Sequence, residues 1–189
     1  MITFDEVCMW INRNSTSNQA DSKSGTISDP DFGSSLILNF GRNLGISANC
    51  LINQMKAAFA EKDYAKTKKI IALLDSVIQK SNKSLEIAEV SYECGIALYR
   101  MGDFGEAGLF LHQAITKYGI DNYHNQAIAI WALGEVYWQV GEYGDAFNHW
   151  ERSYEIFKLL SKTNIEPQWY GKRSEQIKET IEQRSNVYS

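Results

Sequence analysis

The pattern of apolar and polar positions divides the chain into a polar N-terminal part and a long helical part. Residues 1–12 carry one apolar stripe at helical spacing, formed by Phe4, Val7, Cys8 and Ile11. Residues 13–34 are mostly Ser, Thr, Asn, Asp and Gly, a composition that buries too little apolar area to offset chain entropy. We therefore expect a short helix and a flexible linker over residues 1–34. Residues 35–45 are apolar but short, and fit either a helix turn or a strand.

From Ser47, a residue suited to cap a helix, the helical pattern repeats. One copy reads I-W-A-L-G-E-V-Y at residues 130–137 and then G-E-Y-G-D-A-F at 141–147. Another copy aligns with it without a gap, and reads S-Y-E-C-G-I-A-L at 91–98 and then G-D-F-G-E-A-G at 102–108. A weaker first copy reads K-D-Y-A-K-T at 62–67, which places its tyrosine in register with Phe104. The repeat predicts three copies of one helical hairpin.

Two glycines recur in the middle of the first helix of a hairpin, at Gly95 and Gly134. Glycine costs about 1 kcal/mol relative to alanine inside a helix, so its recurrence predicts close approach of a neighbouring helix. We expect the facing small residues to be Ala107 and Ala146. Apolar residues that fill the space between helices are expected to be Leu98, Leu111, Tyr137 and Trp150.

The turn of each hairpin has its own signals. Gly102 and Gly141 fall where a helix ends with a left-handed residue, and Asp103 with Glu106 has the spacing of a capping box. Aromatic residues are expected to begin the second helices and to seal the turns, namely Tyr64, Phe104 and Tyr143.

These residues resemble the tetratricopeptide repeat, whose motif reads roughly W-x-x-L-G-x-x-Y, then G-x-Y, then A-x-x-x-F and a small residue. The resemblance covers about residues 48–160. The best-matched copy supplies Ile130, Leu133, Gly134, Tyr137, Gly141, Tyr143, Ala146, Trp150 and Ser153. The second copy supplies Ser91, Cys94, Gly95, Leu98, Gly102, Phe104, Ala107, Leu111 and Ala114 in the same register.

The resemblance implies an all-α fold, a right-handed α-solenoid of about three hairpins within a domain spanning residues 35–189. The unit here is longer than the family's, which is about 34 residues, so we expect longer helices. A last helix from Gln168 to about Val187 is expected to cap the third hairpin. Its outer face is expected to be polar because of Glu175, Lys178, Glu179 and Glu182.

In this family the first helices line a concave face that binds partners. By resemblance, the partner-binding positions are Asn53, Lys56, Phe59, Tyr92, Glu93, Ile96, Tyr99, Arg100, Trp131, Glu135, Trp138 and Gln139. Aromatic residues seven positions apart recur on this face, and they serve either as surface anchors or as packing between hairpins. The glutamates at 93 and 135 favour a basic or amphipathic partner, or are simply solvated.

Other function classes find little support in the sequence. The family's carboxylate clamp of basic and amide residues is not reproduced, which disfavours acidic chaperone tails as ligands. No H-E-x-x-H, P-loop or G-x-S-x-G motif occurs, so we expect no catalysis, cofactor or metal. Residues 84–160 carry 11 acidic and 4 basic side chains, a balance that disfavours nucleic acids.

The cellular setting follows from the cysteines and from hydropathy. Cys8, Cys50 and Cys94 are odd in number and far apart, which indicates free thiols in a reducing compartment. No apolar run reaches the length of a signal peptide or a membrane span. We expect a cytoplasmic protein without membrane contact.

The leading functional expectation is a scaffold or adaptor that binds a protein or peptide in the concave groove. The alternative is a regulatory or assembly module whose groove holds its own N-terminal stripe. A third alternative is self-association through the end helices, which would make a homo-oligomer.

Overall fold

The computed structural model describes residues 48–119, 122–163 and 167–188. These residues form seven α-helices and no strand, which confirms the all-α class. The short helix, the linker and the undecided segment expected before Ser47 lie outside the described residues. The helices are α1 Ala48–Ala60, α2 Tyr64–Ile78, α3 Ser84–Arg100, α4 Phe104–Tyr118, α5 Tyr123–Gln139, α6 Tyr143–Leu160 and α7 Pro167–Tyr188.

Helices that follow one another in the chain pack together, and α4 also packs against α5. Tight turns join α1 to α2, α3 to α4 and α5 to α6, and we call these three pairs hairpins. The first helices also touch across hairpins, α1 with α3 and α3 with α5, while α7 packs on α6. Between them lies a continuous apolar core whose fully buried side chains include Leu51, Met55, Leu74, Leu98, Leu111, Leu133, Trp150 and Phe157. Removal of these large side chains from water is the main force that holds the helices together.

The same turn closes all three hairpins. In each turn, the residue two positions before the second helix donates its backbone N–H to the carbonyl three residues earlier. The next residue donates its N–H to the carbonyl five residues earlier. These longer bonds run from Asp63 N to Ala58 O (3.0 Å), Asp103 N to Leu98 O (2.9 Å) and Glu142 N to Tyr137 O (3.0 Å). The left-handed residue has φ +81° at Gly102 and +86° at Gly141, as predicted, whereas Lys62 takes it at +60° in the first copy.

Close helix approach explains the two mid-helix glycines. A Cβ atom on Gly95 would lie 2.8 Å from Leu111 Cγ, and one on Gly134 would lie 2.5 Å from Trp150 Nε1. Both distances are too short for a side chain at either position. The same Cβ positions lie 3.3 and 3.2 Å from the carbonyl oxygens of Ala107 and Ala146. The predicted contact between glycine and a small residue on the facing helix is confirmed in both copies.

An aromatic pair stands at each turn. The second helices begin at Tyr64, Phe104 and Tyr143, as predicted. Each of these rings contacts an aromatic ring near the end of the preceding helix. The pairs are Phe59–Tyr64 at 5.9 Å between centroids, Tyr99–Phe104 at 5.7 Å and Trp138–Tyr143 at 4.7 Å. Ring contacts at these distances stabilise a pair by about 0.5–1.5 kcal/mol beyond area burial.

The predicted capping box at α4 is not formed. Asp103 is the N-cap residue, but its side chain makes no capping hydrogen bond of standard geometry, although the Glu106 backbone N–H is close enough to help lower its pKa. The carboxylate instead accepts a hydrogen bond from Lys68 Nζ on α2 at 2.7 Å, and this bond lowers the pKa of Asp103. Asp63 does cap α2, since its carboxylate accepts from Lys66 N at 2.9 Å. The two aspartates therefore take different partners, a lysine of the preceding hairpin for Asp103 and a backbone N–H of its own helix for Asp63.

The C-terminal helix α7 runs one residue longer at each end than predicted. Its four expected outer residues, Glu175, Lys178, Glu179 and Glu182, are exposed, which confirms the polar outer face. Its inner face is less conventional, because it buries two polar residues beside two apolar ones. These inner residues are Tyr170, Arg173, Ser174 and Ile177.

Candidate functional site

The first helices bring the predicted partner-binding residues of successive copies onto one face. Lys56 on α1 donates a hydrogen bond to Glu93 Oε1 on α3 at 2.7 Å. Gln139 on α5 approaches the Tyr99 hydroxyl on α3 with its amide nitrogen, at 3.5 Å. Residues that lie 37 and 40 positions apart in sequence are therefore neighbours in space. We call this surface of α1, α3 and α5 the first-helix face.

The ion pair between Lys56 and Glu93 changes the charge of this face. The two side chains are 35% and 21% exposed, so water screens their attraction. Pairs of this kind contribute up to about 1 kcal/mol. Glu93 is neutralised by a lysine of the chain itself, and it therefore attracts a basic partner less than the sequence suggested.

Three predicted residues of the first-helix face belong to the turn-sealing aromatic pairs. Phe59, Tyr99 and Trp138 are each partly buried against the aromatic residue that begins the next helix. Each of the three side chains stays partly exposed, and its ring is positioned by the aromatic contact at the turn. Rings of this kind present apolar area at little cost in side-chain entropy.

Three other predicted residues are buried. Tyr92 is 7% exposed, and Trp131 and Glu135 are each 4% exposed. Of the two interpretations of the recurring aromatics, packing between helices therefore applies to Tyr92 and Trp131. Glu135 is not solvated either, and Ile96, also assigned to this face, is buried as well. None of these four side chains offers surface to a partner in this conformation.

Helix α7 covers the α5 part of the first-helix face. Arg184 donates two hydrogen bonds to the Glu135 carboxylate, from Nη1 to Oε1 at 3.2 Å and from Nη2 to Oε2 at 3.0 Å. Its guanidinium also lies 4.8 Å from the ring centroid of Trp138 and 4.4 Å from that of Trp150. A bidentate ion pair with two ring contacts fixes the position of the C-terminal end of α7.

A second arginine anchors the other half of α7. Arg173 is 7% exposed, and its guanidinium lies 5.3 Å from the Trp169 ring and 6.0 Å from the Trp131 ring. Its Nη1 donates to Gln176 Oε1 at 3.1 Å. Burial lowers the pKa of Arg173 and raises the pKa of Glu135, the latter against the opposing effect of Arg184. Both shifts reflect the cost of keeping a charge away from water.

The two arginines are the residues that reasoning from the sequence missed. One signal was present, because Glu135 stands inside the apolar run I-W-A-L-G-E-V-Y and a buried carboxylate needs a cation. The sequence does not say which cation meets it. Arg184 lies 49 positions further along the chain.

The remaining first-helix residues outline the accessible part of the face. Asn53 on α1 and Gln139 on α5 are exposed, and Lys56, Phe59, Glu93, Tyr99, Arg100 and Trp138 are half-buried, the last beneath the Arg184 guanidinium. The accessible surface is therefore concentrated on α1 and α3, with Gln139 at the edge of α5.

The two cysteines in the described part of the chain differ in exposure. Cys94 is buried, and burial raises the pKa of its thiol, while Cys50 is exposed. Among the described residues, no three His, Cys, Asp or Glu side chains lie close enough together to hold a metal ion. None of the helices described here combines the length and the apolar character needed to cross a membrane.

No protein-family model matches the chain, and comparison with curated proteins finds no match.

Proposed function

We propose that this chain is a protein-interaction scaffold built from three tetratricopeptide-type hairpins that stack as a short right-handed solenoid. Three features support the proposal: the turn that is repeated in all three hairpins, the glycine contacts at Gly95 and Gly134, and the contacts of α1 with α3 and α3 with α5. Stacked hairpins present their first helices as one extended surface.

The observation that carries the function is the pair of links across the first-helix face. Lys56 with Glu93 and Gln139 with Tyr99 join three helices into one surface whose ends, Asn53 and Gln139, are exposed. The partner is a protein segment that lies across α1 and α3 and packs apolar groups on the accessible ring edges of Phe59 and Tyr99. An amphipathic helix or an extended peptide has the required shape.

The experiment compares two double variants as baits in affinity capture with quantitative mass spectrometry. Asn53→Lys with Gln139→Lys adds two charges to the first-helix face at exposed positions. Thr116→Lys with Asn148→Lys adds the same charges at exposed positions of the second helices α4 and α6. We expect the first variant to lose a partner that the wild type and the second variant retain. Circular dichroism checks that all three chains are equally helical.

Equal recovery of every captured protein by both double variants would remove the assignment to the first-helix face. Recovery lost only with the charges on α4 and α6 would move the binding surface to the second helices.

The cover formed by α7 supports a second candidate, a regulated module that opens when α7 moves. Arg184 occupies the space over Glu135 and Trp138 that a partner segment would otherwise use. In this case Arg184→Ala increases partner recovery, whereas it leaves recovery unchanged if the partner uses only α1 and α3. The proposed N-terminal occupant, Phe4, Val7, Cys8 and Ile11, lies outside the described residues, so that alternative stays a prediction. Light scattering on the purified chain tests self-association.

A further inference from the structure

A groove lies between the second helices α2 and α4, apart from the first-helix face. It is open to solvent along its length and has a volume of about 620 Å³, and Leu98 of α3 lies at its base. Its walls are the side chains of Ile71 and Ala72 on one helix and of Leu109 and Phe110 on the other. Grooves that bind ligands or anchor side chains commonly have volumes of about 300–1,000 Å³.

The corresponding space between the next pair of second helices, α4 and α6, is occupied by aromatic rings of the chain itself. We call each space between two neighbouring second helices an interval. His112 Nε2 and the Tyr137 hydroxyl form a hydrogen bond at 3.2 Å. The Tyr137 ring lies 5.0 Å from the His149 ring, and the two histidine rings are 6.3 Å apart. The phenol ring of Tyr137 therefore stands between two helices at the level where the other interval is open.

The repeat register explains why one interval is open and the other filled. Leu98 occupies the position that Tyr137 has one copy later, and the carbonyls of both residues accept the longer hydrogen bond of their turns. Ala72 occupies the position that His112 has one copy later. A leucine and an alanine thus stand in the first interval where a tyrosine and a histidine stand in the second. These two smaller side chains leave room for an aromatic ring inside the groove.

The groove exposes apolar surface that has no evident role in folding. Leu109 is 73% exposed and lines the groove opposite the exposed Ala72. An exposed leucine alone is ordinary, but one at the edge of an apolar groove of this size is typical of a docking surface.

The rim of the groove is acidic. Asp75 and Glu106 line it from opposite helices, and Lys68, the one cation among the described residues that line it, is held by Asp103 at 2.7 Å. Two carboxylates, those of Asp75 and Glu106, therefore face one ammonium group in this described part of the rim, and that ammonium group is already paired with a carboxylate outside the lining. The surplus negative charge favours a cationic residue beside the apolar group that enters.

We propose that the groove between α2 and α4 binds an aromatic side chain of a protein partner that carries a lysine or arginine within one helical turn of that ring. The aromatic ring takes the place that Tyr137 has in the neighbouring interval. The cation lies against Asp75 and Glu106. This site is separate from the first-helix face, so either can exist without the other.

The experiment uses the full chain, methyl NMR and a designed probe. The probe is an alanine-rich peptide of about 15 residues, long enough to form a helix, with one tyrosine and a lysine one turn on either side. Methyl signals of Ala72 and Leu109 report on the groove, and that of the buried Ala129 serves as a distant reference. We expect the probe to shift the groove signals only. The same peptide with leucine for tyrosine should bind about three- to tenfold more weakly.

Two variants test the site itself. Leu98→Tyr with Ala72→His copies the filled interval into the groove and should abolish the response. Because Leu98 is a core residue, an independent variant is needed, and Leu109→Lys alters only an exposed wall. It should weaken binding several-fold, as Leu109 loses an apolar contact and the new lysine repels the probe. Leu159→Lys, at an equally apolar and 60% exposed position of α6, is the matched control and should bind like the wild type.

The proposal is overturned if the groove signals do not shift, or if Leu109→Lys and Leu159→Lys bind the probe equally. Groove signals that move on dilution without probe would instead identify a second copy of the chain as the occupant. Signals that move in Trp10→Ala without probe would identify the chain's own N-terminal segment, whose Trp10 and Arg13 have the same chemistry.

Discussion

Removal of the Arg184 side chain should loosen the C-terminal end of α7 and leave Glu135 buried without its cation. Loss of one partner of a buried ion pair costs about 3–5 kcal/mol, because the other charge stays away from water. The side chain of Arg184 is 28% exposed, so water reaches one side of the pair, and we expect a loss of about 3 kcal/mol in Arg184→Ala. Lost contacts with Trp138 and Trp150 add about 0.5–1 kcal/mol.

The assay is denaturant unfolding followed by circular dichroism, with a thermal scan beside it. A loss of this size corresponds to a melting temperature lower by about 10 °C for a chain of this length. Lys178→Ala is the matched control, since Lys178 is exposed on the same helix, and it should change stability by less than about 0.5 kcal/mol. Glu135→Gln in the Arg184→Ala background should recover much of the loss, because it removes the buried charge.

The pH dependence gives the same reasoning a second test. Burial raises the pKa of Glu135 above 4.5, and the contacts with Arg184 oppose that rise. A carboxyl group with a raised pKa in the folded chain contributes stability below its unfolded pKa, and this contribution is lost as the pH rises through the folded pKa. Arg184→Ala removes the opposing contacts, so its stability should fall further than that of the wild type as the pH rises above 4.5.

A loss below about 1 kcal/mol that does not vary with pH would refute this reasoning, because exposed ion pairs behave in that way. In that case Glu135 is hydrated in solution, and α7 is held by its apolar contacts alone.

Three further experiments test the turns, the close helix contacts and the core. Lys62 has a left-handed backbone, with φ +60°, which glycine adopts without strain. Lys62→Gly should therefore stabilise the chain by about 1 kcal/mol in denaturant unfolding. No gain would show that lysine adopts this turn without strain. Gly134→Ala should lower the free energy of unfolding by about 1–3 kcal/mol because its Cβ meets Trp150. Gly144→Ala has open space around its Cβ and should be neutral or stabilising by up to about 1 kcal/mol. Equal effects of the two variants would contradict the packing explanation. In a chain with Cys8→Ser and Cys50→Ser, the buried Cys94 thiol should react with a thiol reagent only on unfolding, and rapid labelling in native buffer would show that the core opens at α3.

The local parts of the fold could be read from the sequence because neighbouring residues carry them. The left-handed ends at Gly102 and Gly141 depend on residue type, and the ring that begins each second helix depends on spacing to the turn. Lys62 shows the limit of this reasoning, because the first copy adopts the same turn without glycine. There the packing of the hairpin outweighs the local preference of the residue.

The binding face could be predicted only in part. Helical spacing places Lys56, Glu93, Tyr99 and Gln139 on one side of their helices, and the structure joins them in pairs. Spacing does not say what lies opposite that side. A tryptophan on the face of a helix has the same pattern whether water or another helix covers it, which is why the burial of Trp131 was undecided.

The sequence by itself determined the all-α class, the left-handed helix ends at Gly102 and Gly141 and the polar outer face of α7, because periodicity and glycine signals act within a few residues. Only the tertiary structure decided that Arg184 meets Glu135, that Asp103 binds Lys68, and that one interval between second helices is open and the next filled. Those outcomes depend on which side chains, distant in sequence, meet in space. They also depend on the free-energy cost of leaving a buried charge unpaired or a cavity empty.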